Sequence, residues 1–215
     1  MSYYKLLKQR LPDQTLLNCG RFNDTAISLH RRIVTHRLLH SVDCSFVWVG
    51  VNDLLVRQSP LFSRFRRWWA RDNDEFRIHY RALLDLLTPH ASVLITISPA
   101  LLGEDPDSEA NAALAELGGI IGDLTASYPN AHFLDLHTVF MTALSGGSSA
   151  DYRPPHLLQG VIDALTLRSP NAVERISKAR GLRLTLDNVH LNYTGAMLAA
   201  DEFEQAILRL KRDVP

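Results

Sequence analysis

Three short runs of branched and aromatic residues constrain the fold more than any other feature of this sequence. They occupy residues 45–51, 92–98 and 132–136, and their composition is typical of buried β-strands. Segments with helical periodicity lie between them, at residues 74–87 and 107–128, and another follows at residues 194–211. Strands that alternate with helices of this length form right-handed βαβ units. The sequence therefore predicts an α/β protein in three layers, with helices on both faces of a parallel sheet.

The start of the chain adds two helices and a further strand to this prediction. Residues 2–11 have the periodicity of a short helix, and residues 15–18 are expected to form a strand. A polar turn follows, and Asp24 or Thr25 is expected to cap a helix that runs to residue 40. Cys19 and Cys44 lie within apolar runs, which favours buried, reduced thiols.

The composition indicates one globular domain over residues 1–215 and narrows the classes of partner. Lys and Arg number 23 and so do Asp and Glu, so no net charge attracts nucleic acid or an anionic membrane. No apolar run approaches the length of a membrane span, and residues 1–8 lack the apolar core of a signal peptide. We therefore expect a cytoplasmic protein that has no membrane span and binds no nucleic acid.

Asp187 and His190 are the candidate reactive groups. A carboxylate three residues before a histidine, in a loop that leads into a helix, can bind one ring nitrogen and leave the other as a base. Thr194 is the expected N-cap of that helix. The alternative is that Asp187 only orients a structural histidine in a polar loop.

Two other groups of residues allow a functional and a structural interpretation. His36 and His40 have the i, i+4 spacing of metal ligands, but no acidic or cysteine partner is near in sequence, so a solvated basic helix face is favoured. We predict no metal and no cofactor. The segment at residues 64–71 holds Trp68 and Trp69 among arginines. It could be a lid, a membrane-surface patch or a partner site, but we favour a short helix that packs both tryptophans on the core.

Three separated pieces, at residues 18–25, 49–53 and 187–190, resemble the second, third and fifth conserved blocks of the SGNH or GDSL-like hydrolases. The resemblance implies an esterase or lipase-like hydrolase with a flavodoxin-like parallel sheet. It makes His190 the general base, Asp187 its orienting carboxylate and the Asn52 amide an oxyanion donor. Asn23 takes the place of the usual glycine of the second block, and asparagine tolerates the left-handed φ that this position needs. Pocket residues implied by the same blocks are Gly20, Gly50 and Asp53.

The first block of that family, Gly-Asp-Ser at the end of the first strand, has no counterpart here. The resemblance therefore implies a chain truncated at its N-terminus relative to the family, without the first central strand and without the nucleophilic serine. Residues 122–125 imitate the block by coincidence, and Ser98 at a strand end is a weak substitute for the serine.

Two functions follow from this resemblance. One is an ester hydrolase whose serine is not in this chain, acting on a small-molecule, lipid or carbohydrate ester. The other is a non-catalytic binding or assembly module. The stability lost with a central strand would need compensation, for which a second chain in a homo-oligomer is one source.

Overall fold

The computed structural model describes residues 2–36, 41–57, 68–146 and 170–213. Its backbone contacts divide the chain into two compact units. We call the first the histidine unit, and it consists of Met1–Asn18, Leu101–Asn111 and Thr138–Pro215. We call the second the sheet unit, and it consists of Cys19–Ala100 and Ala112–His137.

The sheet unit contains a parallel sheet of three strands, as the apolar runs predicted. The strands are β1 (Val42–Trp48), β2 (Ala91–Ile97) and β3 (Ala131–Leu134), in the order β1-β2-β3. The register pairs Trp48 with Ile97, and Ile97 with Leu134, so the carboxyl ends of all three strands meet at one edge. β1 is one of the two edge strands of the described sheet, and most of its side chains are only half-buried, although its apolar sequence predicted burial on both faces.

Helices flank these strands in the sheet unit. They are α2 (Ala26–His36), α3 (Val51–Arg57), α4 (Asn73–Leu87) with a one-turn 3₁₀ helix (Thr88–His90), and most of α5 (Glu109–Thr125). α4 begins where the Asp72 side chain accepts a hydrogen bond from the Glu75 N–H at 2.8 Å. Its stripe of four fully buried side chains contributes about 1.5–3 kcal/mol for each large apolar residue. These residues are Phe76, Tyr80, Leu83 and Leu84.

The histidine unit is built from helices at both ends of the chain. They are α1 (Tyr3–Arg10), most of α6 (Leu136–Ser145), α7 (Pro170–Ala179) and α8 (Tyr193–Asp213). α1 packs against α8, with the rings of Tyr3 and Phe203 edge to face at 5.3 Å. The Arg10 guanidinium extends this contact because it binds Asp201 at 2.6 Å and Glu204 at 3.1 Å.

The strand predicted at residues 15–18 is wrong. This segment has no regular secondary structure, and Leu17 is 64% exposed. The carbonyl oxygen of Leu16 accepts a hydrogen bond from the Tyr4 hydroxyl at 2.9 Å. The segment is therefore fixed to α1 by a side chain and not to the sheet by a strand ladder.

The two tryptophans and the two cysteines depart from their predictions in part. Trp69 is buried, but Trp68 is 52% exposed, so only one of the pair packs on the core. Residues 64–67 lie outside the described residues.

Cys19 is exposed and not buried as expected, whereas Cys44 is half-buried, and both are free thiols. Burial raises the pKa of Cys44 to about 12.

Two further sequence predictions concern metals and membranes. His36 is exposed on α2, and His40 lies outside the described residues, so their pairing is not seen. Within the ranges that the structure describes, no cluster of three His, Cys, Asp or Glu side chains could hold a metal ion. No helix in those ranges is both long and apolar enough to cross a membrane.

Candidate active site

The loop that carries His190 is a tight reversal closed by backbone hydrogen bonds. An isolated antiparallel bridge joins Thr185 to Leu191, and the Leu186 N–H donates to the His190 carbonyl at 2.8 Å. The turn itself is made by Asn188, whose φ is +73°. Asparagine is among the few residues that adopt this left-handed conformation at low cost. The local sequence therefore brings positions 187 and 190 together.

Asp187 binds His190 through both of its carboxylate oxygens. Oδ2 lies 2.8 Å from the ring Nδ1, and Oδ1 accepts the backbone N–H of His190 at 2.7 Å and that of Val189 at 3.1 Å. The Asp187 side chain is 2% exposed, whereas 33% of the His190 side chain is exposed. Because a carboxylate only accepts hydrogen bonds, the ring proton lies on Nδ1 and the lone pair of the neutral ring lies on Nε2. This arrangement suits a general base.

A buried carboxylate that the sequence analysis missed fixes the segment before the dyad. Glu104 is 3% exposed. Its Oε1 accepts from the N–H groups of Leu184 and Thr185 at 2.8 and 2.7 Å and from the Thr185 hydroxyl at 2.7 Å. Its Oε2 accepts from the N–H of Arg183 at 2.6 Å. No motif marked this residue, because its partners lie about eighty positions later in the chain.

The helix after the dyad is capped two residues earlier than predicted. Asn192, and not Thr194, is the cap: its side-chain oxygen accepts the Gly195 N–H at 3.0 Å, and its carbonyl accepts the Ala196 N–H at 2.9 Å. A Cβ at position 195 would overlap the carbonyl oxygen of Leu184, so only glycine fits there. The close approach of α8 to the loop therefore depends on Gly195.

Asn52 and Asn23, which the resemblance assigned as oxyanion donors, both lie in the sheet unit. Asn52 is the second residue of α3, and its side-chain amide donates to the Asp24 carbonyl at 3.0 Å. One of its two amide hydrogens thus holds the preceding loop in place. Asn23 is exposed and has φ +62°, the left-handed backbone that the sequence allowed. No described residue accepts a hydrogen bond from its backbone N–H.

The remaining candidate pocket residues have structural contacts. Asp53 is fully buried, and its carboxylate accepts the Ala26 N–H at 3.0 and 3.3 Å, which caps α2. Burial raises the pKa of Asp53 to about 7, against the opposing effects of the Ala26 N–H and of Arg57. Gly50 has φ +132°, and a Cβ there would lie 2.7 Å from the ring of Pro99. Gly20 lies in an exposed part of the loop before α2.

Ser98 is part of a buried polar cluster. It is fully buried, and its hydroxyl donates to the Asp135 carboxylate at 3.0 Å and accepts the backbone N–H of His137 at 2.8 Å. The ring Nδ1 of His137 lies 2.9 Å from the Ala100 carbonyl. These contacts tie the end of β2 to the start of α6. A hydroxyl that is buried and bonded in this way is not presented to a substrate.

Comparison with known proteins shows that the fold of this chain resembles those of several solved structures. No protein-family model and no curated protein sequence match this chain. The acetyl xylan esterase AlAXEase is similar over 96% of this chain and 90% of its own, with a TM-score of 0.67 and 22% identity. Axe2, an acetylxylan esterase from Geobacillus stearothermophilus, is similar over 96% of this chain and 81% of its own, with a TM-score of 0.67 and 17% identity. LAE5, an alpha/beta hydrolase enzyme from the metagenome of Lake Arreo, Spain, is similar over 97% of this chain and 82% of its own, with a TM-score of 0.66 and 18% identity. The chain therefore has the α/β fold of these enzymes, as the sequence predicted.

Proposed function

We infer that this protein is an ester hydrolase in which His190 is the general base and Asp187 its orienting group. The observation that carries this proposal is the double contact of the Asp187 carboxylate with the ring and the backbone of His190, at 2.8 and 2.7 Å. His190 Nε2 takes the proton of an attacking hydroxyl and later returns it to the leaving alcohol. Asp187 keeps the ring in the required tautomer and stabilises the imidazolium that forms between these two steps.

The fold relatives support ester bonds as the substrate class. AlAXEase and Axe2 are both acetyl xylan esterases. Catalytic mutants of Axe2 carry alanine in place of a serine in one case and an aspartate in another. By analogy, we propose a serine-dependent mechanism for this chain and a short acyl group, such as acetyl on a carbohydrate, as its substrate.

Asn52 and Asn23 are proposed to stabilise the negative charge that develops on the ester oxygen. Acyl transfer requires neutral donors that are fixed before the reaction begins. Asn52 has a second amide hydrogen beyond the one that binds Asp24, and the N–H of Asn23, where φ is +62°, has no acceptor among the described residues. Removal of one such donor costs about 10²–10³-fold in turnover in comparable hydrolases.

The nucleophile is proposed to be a serine outside residues 1–215, as the missing Gly-Asp-Ser block implies. Ser98 is the alternative within the chain. Its full burial and its two hydrogen bonds, to Asp135 and from the His137 N–H, speak against that alternative. A non-catalytic binding module, in which Asp187 only shapes the turn through its bonds to two backbone N–H groups, is the competing function.

Labelling with a fluorophosphonate probe tests this proposal. We expect no labelling of a form limited to residues 1–215 and stoichiometric labelling of a form that carries Gly-Asp-Ser upstream, read by mass spectrometry of the modified peptide. In the longer form, His190→Ala should suppress hydrolysis of 4-nitrophenyl acetate. His132→Ala, which removes an exposed histidine of β3, is the matched control and should not.

Two outcomes would contradict the proposal. Labelling of Ser98 in the shorter form would mean that the nucleophile is this serine at the end of β2 and not a serine outside residues 1–215. A folded longer form that neither labels nor hydrolyses esters would favour the binding module.

A further inference from the structure

A cavity of about 490 Å³ lies within the sheet unit, beside the loop that carries Asn23. It is lined by the loop at residues 21–24, by five side chains of α2 and by Trp68. The volume is within the range of small-molecule sites, roughly 300–1,000 Å³.

The charges that line this cavity are unequal. Among the described residues that line it are three arginines, Arg21, Arg31 and Arg32, and one carboxylate, that of Asp24. Asp24 is already engaged, because Arg32 binds its Oδ2 through Nη2 at 2.5 Å and through Nε at 3.0 Å. The Arg21 side chain is exposed, and its guanidinium makes no hydrogen bond or ion pair with any described residue. A positive charge therefore remains that an anionic ligand could neutralise.

The same cavity exposes aromatic surface. Trp68 is 52% exposed and Phe22 is 48% exposed, although both are large apolar side chains. The Arg31 guanidinium lies over the Trp68 ring, 4.9 Å from its centroid, and so presents a charge next to an apolar face. Such a combination suits a ligand that has both an anionic group and a body that packs on aromatic rings.

The walls are held in place before any ligand arrives. The Asp24 carbonyl accepts from the Asn52 amide at 3.0 Å, and the Thr25 hydroxyl binds the Trp68 carbonyl. The first N–H groups of α2 are also occupied, since Ala26 donates to Asp53 and Ser28 donates to the Thr25 hydroxyl at 3.2 Å. An anion in this cavity would therefore be bound by arginine side chains and not by the helix N-terminus.

We propose that this cavity binds an organic carboxylate, whose charge pairs with Arg21 and whose body packs against Trp68 and Phe22. The wider inference rests on the proposed function: the ester substrate carries a carboxylate of its own, and this cavity selects it. Asn23 supports the link, because it is both a candidate oxyanion donor and part of the cavity wall. Carboxylate binding itself does not depend on catalysis.

Titration of the protein with four probes tests the binding. Glucuronate and benzoate represent a sugar and an aromatic carboxylate, glucose is a neutral counterpart, and inorganic phosphate is an anion without an organic body. Isothermal calorimetry gives the affinity, and the ¹H–¹⁵N signals of the Trp68 indole and the Asn23 N–H give the location. We expect one of the two carboxylates to bind, more weakly at high ionic strength, and to bind about five- to tenfold more weakly to Arg21→Gln.

Arg81→Gln is the matched control, because Arg81 is an exposed arginine of α4 outside the cavity, and this variant should keep the full affinity. Equal weakening by Arg21→Gln and Arg81→Gln would overturn the proposal, as would phosphate or glucose binding as tightly as the carboxylates. His190→Ala should bind the carboxylate normally. If binding is as expected but no ester is hydrolysed, the proposed function fails while the carboxylate site stands.

Discussion

The carboxylate of Asp187 contacts His190 at two points, the ring Nδ1 at 2.8 Å and the backbone N–H at 2.7 Å. The two contacts use different oxygens, so the position of the ring and the shape of the turn depend on one side chain. The two roles of Asp187 can be tested separately by substitution with asparagine, because asparagine keeps one acceptor oxygen and loses the other.

Asp187→Asn should therefore preserve the turn and change the tautomer of His190. The remaining oxygen can still accept the backbone N–H, whereas the amide hydrogens now face Nδ1 and favour a proton on Nε2. The ¹⁵N chemical shifts of Nδ1 and Nε2 should exchange relative to wild type, because the proton moves from one ring nitrogen to the other. Turnover in a catalytically competent form should fall by about 10³–10⁴-fold. An unchanged tautomer would mean that Asp187 does not set the ring proton.

Asp53→Asn should flatten the pH dependence of stability. Because burial raises the pKa of Asp53 from 3.8 to about 7, the folded state binds more protons than the unfolded state between these values. Stability from this group is fully present below pH 3.8 and is lost as the pH rises through about 7. The unfolding free energy of Asp53→Asn should exceed that of wild type increasingly from pH 5 to pH 8, by up to about 4 kcal/mol.

Urea unfolding at several pH values measures this difference. Asp123→Asn, at an exposed position of α5, is the control and should parallel wild type. A stability difference between wild type and Asp53→Asn that stays constant from pH 5 to pH 8 would show that Asp53 is already ionised at pH 5 in the folded protein.

Two Gly→Ala substitutions should change the free energy of unfolding in opposite directions. Gly195→Ala places a Cβ against the Leu184 carbonyl at the start of α8, so we expect a loss of about 1–3 kcal/mol from overpacking. Gly119→Ala lies at an exposed position of α5 with no atom within 4 Å of the added Cβ, and it should gain about 0.5–1 kcal/mol from helix propensity. Thermal unfolding of both variants gives the comparison. Stabilisation by Gly195→Ala would rule out the close approach of the loop to α8.

Removal of the hydroxyl should lower stability at Tyr128 and not at Tyr80. The Tyr80 hydroxyl is fully buried, and no described residue hydrogen-bonds to it, so Tyr80→Phe should be neutral or stabilising by up to about 1 kcal/mol. The Tyr128 hydroxyl donates to Asp85 at 2.6 Å, so Tyr128→Phe should lose about 0.5–1 kcal/mol. If chemical denaturation shows equal losses for the two variants, Tyr80 has a partner.

The parts of the structure that the sequence predicted correctly are those set by local pattern. The strands at β1, β2 and β3 follow from apolar runs, and the meeting of Asp187 with His190 follows from a spacing of three residues. The error at residues 15–18 has a tertiary cause, because a hydroxyl from α1 binds the Leu16 carbonyl. The apolar residues of this segment indicated burial, whereas Leu17 is 64% exposed.

Contacts between distant residues explain the remaining misses. Asn192 and Thr194 are both good helix caps by residue type, and the close packing of Gly195 on Leu184 decides between them. Glu104 lies in a loop of ordinary polar composition, and only its burial beside residues 183–185 reveals its role.

The bonds to Glu104 also bear on the order in which the molecule folds. They join residues 79 to 81 positions apart, and the entropy of closing so long a loop must be overcome before any of them forms. Asp187 and His190 are near neighbours in sequence, yet the segment that leads to them is fixed by this distant carboxylate. His190 should therefore reach its final geometry late in folding, so a partly folded chain would contain Asp187 and His190 before their loop is fixed.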